Sequence, residues 1–235
     1  MTDSNSGTVT VVLVHGAWAD GSSWRGVIPY LVAEQIPVVA VQNPTTSLAD
    51  DVAATKATLD AIDGPVVLVG HSWGGTVITE AGNDPKVKAL VYVAAFAPDA
   101  GQSTGDQVAA HPAPPGLSGV VPFGAGALKM STDSWISNVA QDLPEADARV
   151  LAAVQPPLAL ATFTDKIGRP AWAQRANWYI VSSEDRAVSV ALQRQLAQRL
   201  NAHTRELAAS HMSLLSQPQA VADVIRTAVA AVSGA

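Results

Sequence analysis

The stretch Pro65–Ala81, PVVLVGHSWGGTVITEA, decides the fold of this chain. It begins with Val66–Val69, an apolar run rich in β-branched valine that is typical of a strand buried on both faces. The segment GHSWG follows at residues 70–74, and behind it apolar residues recur at helical spacing. A G-x-S-x-G pattern indicates a functional serine when a strand, a sharp turn and a helix occur in this order. Such a turn projects the serine Oγ above the sheet edge. We therefore predict that Ser72 is a nucleophile.

The composition restricts the classes of protein that this chain can represent. Its 235 residues suit one domain, and a hydrophobic fraction of 48% against 14% charged residues allows a sizeable core. The net charge of −6 and the lack of a Lys/Arg cluster argue against nucleic acid or an anionic membrane surface as a partner. The chain has no cysteine, which excludes disulfides, thiol nucleophiles and cysteine-based zinc sites.

We do not expect the N-terminal residues MTDSNSGT to form a signal peptide. They are polar and lack the basic and apolar regions of a signal peptide. No apolar run approaches the ~20 residues of a membrane span. We expect a soluble cytoplasmic protein that acts on a small-molecule substrate without a nucleic-acid or membrane partner, and a homodimer stays open.

Predicted strands and helices alternate along most of the chain. Strict alternation of this kind indicates an α/β fold with a mostly parallel sheet flanked by helices. Six strands are predicted, at Val9–Val14, Pro37–Val41, Val66–Val69, Val87–Ala94, Asn177–Val181 and Thr204–Leu207. Helices are predicted from Ser22 or Ser23 to Glu34, from Ser47 or Asp50 to Gly64, behind the turn at Ser72, at Val190–Leu200 and at Pro218–Val232.

The alternation stops between about residues 98 and 170, where prolines interrupt the sequence. Short helical patterns remain near Asp133–Val139 and Glu145–Val154. The segment also holds several of the few aromatic residues, so we predict an inserted helical cap, with a poorly ordered loop as the alternative. The core of this single domain then comprises residues 8–97 and 171–235.

A serine nucleophile needs a base to take its proton and a carboxylate to orient that base. Among the five histidines, only His211 follows the last predicted strand, and in a sheet of this kind that loop overlies the nucleophile. The acid is expected after the preceding strand, where Asp185 lies beside Glu184, which should point elsewhere. Asp99, after the strand Val87–Ala94, is the alternative acid.

The tetrahedral intermediate of acyl transfer also needs N–H donors for its oxyanion. One is predicted at Trp73, directly after the nucleophile, and the other at Ala17, in the turn after the first strand. An apolar, charge-poor cap favours uncharged aryl or alkyl groups in the substrate. The pocket between cap and sheet is predicted to be formed by Gly16, Trp18, Trp73, Phe123, Trp135, Phe163 and Met212.

Four segments carry a family resemblance: VLVHGAWADGSSW, VGHSWGG, EDRAV and ASHMSLLSQP, in this order. They resemble the α/β-hydrolase superfamily, and within it the compact branch of plant methylesterases, bacterial esterases and hydroxynitrile lyases. The resemblance implies the α/β-hydrolase fold, Ser72, Asp185 and His211 as a catalytic triad, and Ala17 and Trp73 as oxyanion donors. It also implies no cofactor or metal, and hydrolysis of small neutral carboxylic esters through an acyl-enzyme. The N-terminal hairpin of larger hydrolases is missing, which predicts the shorter six-stranded sheet.

Other functions stay open on the same framework. One is a hydroxynitrile lyase, another is a cofactor-free haloperoxidase or a hydrolase of C–C bonds, and a third is a ligand receptor with little turnover. Lyases that resemble this branch carry threonine, glutamate and lysine where this chain has Gly16, His71 and Met212. All three positions therefore favour an esterase.

Overall fold

The computed structural model describes residues 7–234, so residues 1–6 and 235 lie outside the described chain. Most of the N-terminal segment MTDSNSGT and the last residue of the predicted core fall outside it as well. Among residues 7–234, no helix combines the length and the apolar character needed to cross a membrane.

The described residues form nine strands and ten α-helices. The strands are β1 (Thr10–Val14), β2 (Val38–Ala40), β3 (Val66–His71), β4 (Val87–Val93), β5 (Val120–Phe123), β6 (Ala127–Met130), β7 (Leu158–Ala159), β8 (Ala176–Ser182) and β9 (His203–Leu207). The helices are α1 (Ile28–Ala33), α2 (Leu48–Asp60), α3 (Trp73–Ala81), α4 (Thr104–Ala109), α5 (Thr132–Ser134), α6 (Glu145–Val154), α7 (Ala161–Thr164), α8 (Val190–Arg199), α9 (Ser213–Ser216) and α10 (Pro218–Ser233).

The main sheet has six strands in the order β2-β1-β3-β4-β8-β9, and every neighbouring pair is parallel. This confirms the predicted six-stranded sheet. Side chains alternate between its two faces. Val11 and Leu13 of β1 belong to the core that α1 and α10 cover, whereas Val12 and Val14 belong to the core that α2, α3 and α8 cover. Both faces are buried, which explains why β1 and β3 are continuous apolar runs.

The first predicted helix is wrong in its details. A 3₁₀ helix at Gly21–Gly26 precedes α1, and the two replace one continuous helix. The N-cap is Asp20 rather than Ser22 or Ser23, since its carboxylate accepts the N–H of Ser22 at 2.7 Å. Pro29 lies in the first turn of α1, where an N–H group has no acceptor within the helix, so proline costs no hydrogen bond there.

We call residues 98–170 the cap. The prediction of a helical cap is only partly right, because this segment also contains strands. These strands form a three-stranded antiparallel sheet, β5-β6-β7, beside the helices α4 to α7. Gly124 and Gly126 make the turn of the β5–β6 hairpin with φ of +59° and +78°, which favour glycine. Pro122 is tolerated because β5 is an edge strand. The two helical patterns of the cap are present, as α5 followed by a π-helix at Trp135–Val139, and as α6.

The turn between β3 and α3 is packed against the ends of the neighbouring strands. A Cβ placed on Gly74 would lie 2.4 Å from the carbonyl oxygen of Val14, after which β1 ends. A Cβ on Gly75 would lie 2.2 Å from the carbonyl oxygen of Phe96, in the segment that follows β4. Real Cβ atoms do not approach backbone so closely, so this turn can enter the sheet only with glycine at both positions.

Gly75→Ala should therefore lower the free energy of unfolding by about 3 kcal/mol, the upper part of the range for inserting a methyl group into a packed interior. The matched control is Gly168→Ala, whose Cβ would lie 3.4 Å from its nearest neighbour, Glu80 Oε1. Urea unfolding of both variants measures the difference. Equal losses in the two variants would contradict the steric argument.

Candidate active site

Ser72 lies in the turn between β3 and α3, with φ of +54° and ψ of −122°. A non-glycine residue in this region of backbone space is strained and must be held by its surroundings. Its N–H donates to the carbonyl of Val93 at 3.1 Å, and its own carbonyl accepts the N–H groups of Gly75 and Phe96 at 3.0 and 3.2 Å. The backbone of the predicted nucleophile is thus held by both β4 and α3.

Asp185 and His211 are brought together by the loops that follow β8 and β9. The His211 Nδ1 lies 2.7 Å from the Asp185 Oδ2, and both side chains are buried. The other carboxylate oxygen, Oδ1, accepts the N–H groups of Ala187 and Val188 at 2.7 and 2.9 Å. The carboxylate is thereby fixed in place, and it orients the imidazole with a proton on Nδ1 and an acceptor at Nε2.

Gln193 is a member of this group that sequence reasoning missed. It is fully buried on α8, where its Nε2 donates to the Asp185 Oδ2 at 2.8 Å. Its Oε1 accepts the N–H of Ser182, the last residue of β8, at 3.0 Å. The one available signal was an amide side chain between Leu192 and Leu196 on an apolar helix face.

His71 connects the turn at Ser72 to the loop of His211. Its Nε2 donates to the carbonyl oxygen of His211 at 2.9 Å, and the centroids of the two imidazole rings lie 4.6 Å apart. Burial, with a smaller contribution from the nearby His211, holds the pKa of His71 well below its usual value. A neutral His71 with its proton on Nε2 suits this carbonyl partner.

The two other acidic candidates lie away from the imidazole. Asp99 is exposed, and its Oδ1 accepts the N–H of Ala100 at 2.8 Å. Glu184 is exposed too, in agreement with the expectation that it points elsewhere. Among Asp99, Glu184 and Asp185, the structure pairs Asp185 alone with His211.

Ala17 lies in the turn after β1, and Trp73 is the first residue of α3. Both line one cavity together with Ser72 and His211. Neither backbone N–H donates to another residue within the described chain, so both are available to an oxyanion. The Trp73 indole donates its Nε1–H to the Asp51 Oδ2 at 2.7 Å. Asp51 is fully buried, and this burial raises its pKa to about 6.

The cavity lies between the cap and the carboxyl ends of the strands. Its volume is about 680 Å³, including space open to solvent. No Asp, Glu, Lys or Arg is among the described residues that line it. Its apolar lining is Ala17, Trp18, Ala19, Trp73, Phe96, Val108, Leu117, Met130, Trp135, Val139, Leu158, Phe163, Ala187, Val188 and Met212.

Most of the predicted pocket residues are part of this lining, but two are not. Trp18, Trp73, Trp135, Phe163 and Met212 line the cavity. Phe123 instead lies on the outer strand β5, is 47% exposed and carries the Lys129 ammonium 4.1 Å above its ring. The expectation that Phe123 lines the pocket therefore does not hold. Gly16 lies behind Ser72: a Cβ on it would be 2.8 Å from the Ser72 Cβ.

The three cavity tryptophans differ in the partner of their indole N–H. Trp18 donates to the carbonyl of Leu128 at 3.1 Å, and Trp73 donates to Asp51. The Nε1 of Trp135 is buried without a hydrogen-bond partner among residues 7–234. Buried indole N–H groups usually find an acceptor. The Trp135 N–H is therefore an unused hydrogen-bond donor beside the cavity.

The cap also contacts the loops that carry Asp185 and His211. Asp142 accepts the N–H of Ser210 at 2.8 Å, directly before His211. Gln141 donates from Nε2 to the carbonyl of Glu184 at 2.7 Å, directly before Asp185. Arg186 donates to the carbonyl of Ser137 in the π-helix at 3.0 Å. Hydrogen bonds with the cap therefore hold both loops in place.

Comparison with known sequences gives a match over most of the chain. The sequence model described as the alpha/beta hydrolase family matches residues 11–224. A probable hydrolase, R7, from Phoma sp. (strain ATCC 20986 / MF5453) is 31% identical over 112 residues, 41% of this chain and 46% of the relative. A carbendazim hydrolyzing esterase from Nocardioides sp. (strain SG-4G) is 33% identical over 107 residues, 39% of this chain and 44% of the relative. The chain thus matches less than half the length of each curated relative.

Comparison with solved structures extends over nearly the whole chain. A pyrethroid hydrolase from Sphingobium faniae JZ-2 superposes with a TM-score of 0.80 at 21% identity, covering 95% of this chain and 98% of that one. A methylesterase from Arabidopsis superposes with a TM-score of 0.79 at 18% identity, covering 94% and 99%. At these identities the likeness establishes a shared fold.

Proposed function

Because the chain belongs to the alpha/beta hydrolase family, we propose that it is a serine hydrolase that cleaves small neutral carboxylic esters through an acyl-enzyme. The observation that carries the proposal is that Ser72 and His211 line one cavity, and that His211 is hydrogen-bonded to Asp185 behind it. A nucleophile, a base and a group that orients the base are the three parts that covalent acyl transfer needs.

The proposed reaction begins when the His211 Nε2 accepts the proton of the Ser72 hydroxyl and Oγ attacks the ester carbonyl. The N–H groups of Ala17 and Trp73 donate to the oxyanion of the tetrahedral intermediate. When the intermediate collapses, His211 returns the proton to the leaving alcohol, and Ser72 is left acylated. A water molecule, deprotonated by the same Nε2, then releases the acid. Asp185 holds Nδ1–H throughout and stabilises the imidazolium.

The character of the cavity supports an uncharged substrate. Its described lining contains no Asp, Glu, Lys or Arg that could pair with a charged one, and burying an unpaired charge is costly. One curated relative is named as an esterase, and the two fold relatives are named as a pyrethroid hydrolase and a methylesterase. These names agree with an ester as the substrate class.

Cyanohydrin cleavage is less well supported than ester hydrolysis. Met212 lines the cavity directly after His211, where the related lyases carry lysine, so no fixed positive charge is available there for a cyanide ion. The 2.8 Å separation that a Cβ on Gly16 would have from the Ser72 Cβ leaves no room for the lyase threonine without a backbone shift.

Ser72→Ala should leave a folded protein whose kcat for p-nitrophenyl acetate is lower by about 10⁴-fold or more, the scale for a lost triad nucleophile. The matched control is Ser22→Ala, an exposed serine in the 3₁₀ helix after β1, which should keep the wild-type rate. Hydrolysis by Ser72→Ala within tenfold of wild type would refute the assignment of the nucleophile.

Asp185→Asn should lower kcat by about 10⁴-fold, because an amide facing Nδ1 favours the wrong tautomer of His211. Asp99→Asn is the matched control, since Asp99 is exposed, and should change kcat by less than about twofold, as surface substitutions do. Steady-state kinetics with p-nitrophenyl acetate measures both. The opposite ranking would assign the acid to Asp99.

The cap side chains should set the range of acyl groups. Trp135→Ala and Phe163→Ala should each change the ratio of kcat/KM between short and long acyl esters by about 10–200-fold, the scale of discrimination in apolar pockets. Phe123→Ala provides the control, because Phe123 belongs to the cap but lies outside the cavity lining. If both cavity variants kept the wild-type acyl-length profile, the two rings would serve the core rather than the pocket.

A further inference from the structure

One buried carboxylate beside the turn at Ser72 takes no part in the proposed proton transfers. Asp51 lies in the first turn of α2, is fully buried and is not among the residues that line the cavity. Its Oδ2 accepts the Trp73 Nε1–H and its Oδ1 accepts the backbone N–H of Thr45, both at 2.7 Å. Two charge-assisted hydrogen bonds of this length offset part of the cost of burying the carboxylate.

The first partner of Asp51 is the residue whose backbone would bind the oxyanion. Trp73 is the first residue of α3 and directly follows the strained backbone of Ser72. Its side chain is 3% exposed, and its only polar atom is the indole nitrogen that Asp51 holds. Fixing the indole limits rotation of the first turn of α3, and with it the direction of the Trp73 backbone N–H.

The second partner of Asp51 leads to the cap. Thr45 has φ of +58°, a conformation that a β-branched residue keeps only when its neighbours hold it. Its hydroxyl shares its proton between the carbonyl oxygens of Pro44 and Pro157, at 2.7 and 2.8 Å, and its own carbonyl accepts the N–H of Ala159 at 2.9 Å. Pro157 precedes β7, whose Leu158 lines the cavity.

We propose that Asp51 is a positioning residue that aligns the oxyanion donor Trp73 with the cap strand β7. One carboxylate accepts a hydrogen bond from Trp73 and another from Thr45, which is bonded to the segment of β7. The distance between the oxyanion donor and this part of the cavity wall is thereby fixed. The inference rests on the proposed function, because it gives the Trp73 backbone N–H a part in ester hydrolysis.

The test replaces Asp51 with asparagine and uses Asp50→Asn as the matched control. Asparagine turns one acceptor oxygen into an N–H donor that faces a donor, so one of the two hydrogen bonds must be lost. Asp50 is the adjacent residue of α2 but is exposed, and its carboxylate accepts hydrogen bonds from the hydroxyls of Thr46 and of Ser47, the N-cap of α2. We expect Asp51→Asn to lower kcat for p-nitrophenyl acetate by about 10–100-fold, the effect of a small misplacement of catalytic groups. Asp50→Asn should stay within about twofold of wild type.

A spectroscopic readout reports the contact without any turnover. The indole ¹H–¹⁵N signal of Trp73, identified by its absence in Trp73→Phe, should move upfield in Asp51→Asn and stay in place in Asp50→Asn. Trp73→Phe keeps the backbone N–H and an aromatic ring but lacks the donor, so it should lower kcat as well. It also keeps the inference testable if Asp51→Asn does not fold.

The double variant completes a thermodynamic cycle. If Asp51 acts through Trp73, the losses in kcat of Asp51→Asn and Trp73→Phe should add to clearly more than the loss of the double variant. Strict additivity, a wild-type kcat in folded Asp51→Asn, or an unchanged Trp73 indole signal would each overturn the positioning role. Wild-type enzyme without any ester turnover would instead overturn the proposed function, and the inference with it.

Discussion

The strained backbone of Ser72 is the constraint on which the rest of this structure depends. A serine with φ of +54° is stable only if its own N–H and C=O groups are bound and the chain around it is packed tightly. Glycines 74 and 75 permit that packing, because they let α3 start in contact with the ends of β1 and β4. The parallel order of β1, β3 and β4 follows from the same requirement, since it brings three carboxyl ends to one edge.

Around this turn, charged and polar side chains mainly fix the positions of loops and of other side chains through hydrogen bonds. Asp185 receives hydrogen bonds from Ala187, Val188 and Gln193 as well as from His211, so its position does not depend on the imidazole alone. His71 holds the other loop, the one that follows β9, through a hydrogen bond to the carbonyl of His211. The proposed reaction requires such preorganisation, because a hydroxyl group, an imidazole and N–H donors must act together in it without rearrangement.

The main sheet and the pair Asp185–His211 could be predicted because each rests on a local pattern or on chain order. Apolar runs indicate strands, and the order of strands indicates which loops share an edge. Asp51 and Gln193 could not be found in this way, because an isolated polar residue on a helix face looks the same whether it faces solvent or a distant partner. The β5–β6 hairpin did leave a signal, a Gly-Ala-Gly turn at residues 124–126 between two short apolar runs. The neighbouring prolines and the expected helical cap hide this signal. The same expectation places Phe123 in the pocket, whereas the hairpin puts it on an outer strand.

The hydrogen bonds from the cap to the loops of Asp185 and His211 have a consequence for how proteins of this fold can diversify. Asp142 and Gln141 hold the backbone just before His211 and Asp185, while other cap residues form the cavity wall. A cap transplanted from a relative would bring a new cavity shape together with a new set of supports for the loops that carry Asp185 and His211. Chimeras of this fold should therefore gain new substrates at the expense of turnover unless the two supporting side chains are kept in the graft. Selection on substrate range and selection on rate would then act on the same 73-residue segment, residues 98–170, so neither property could change far without the other.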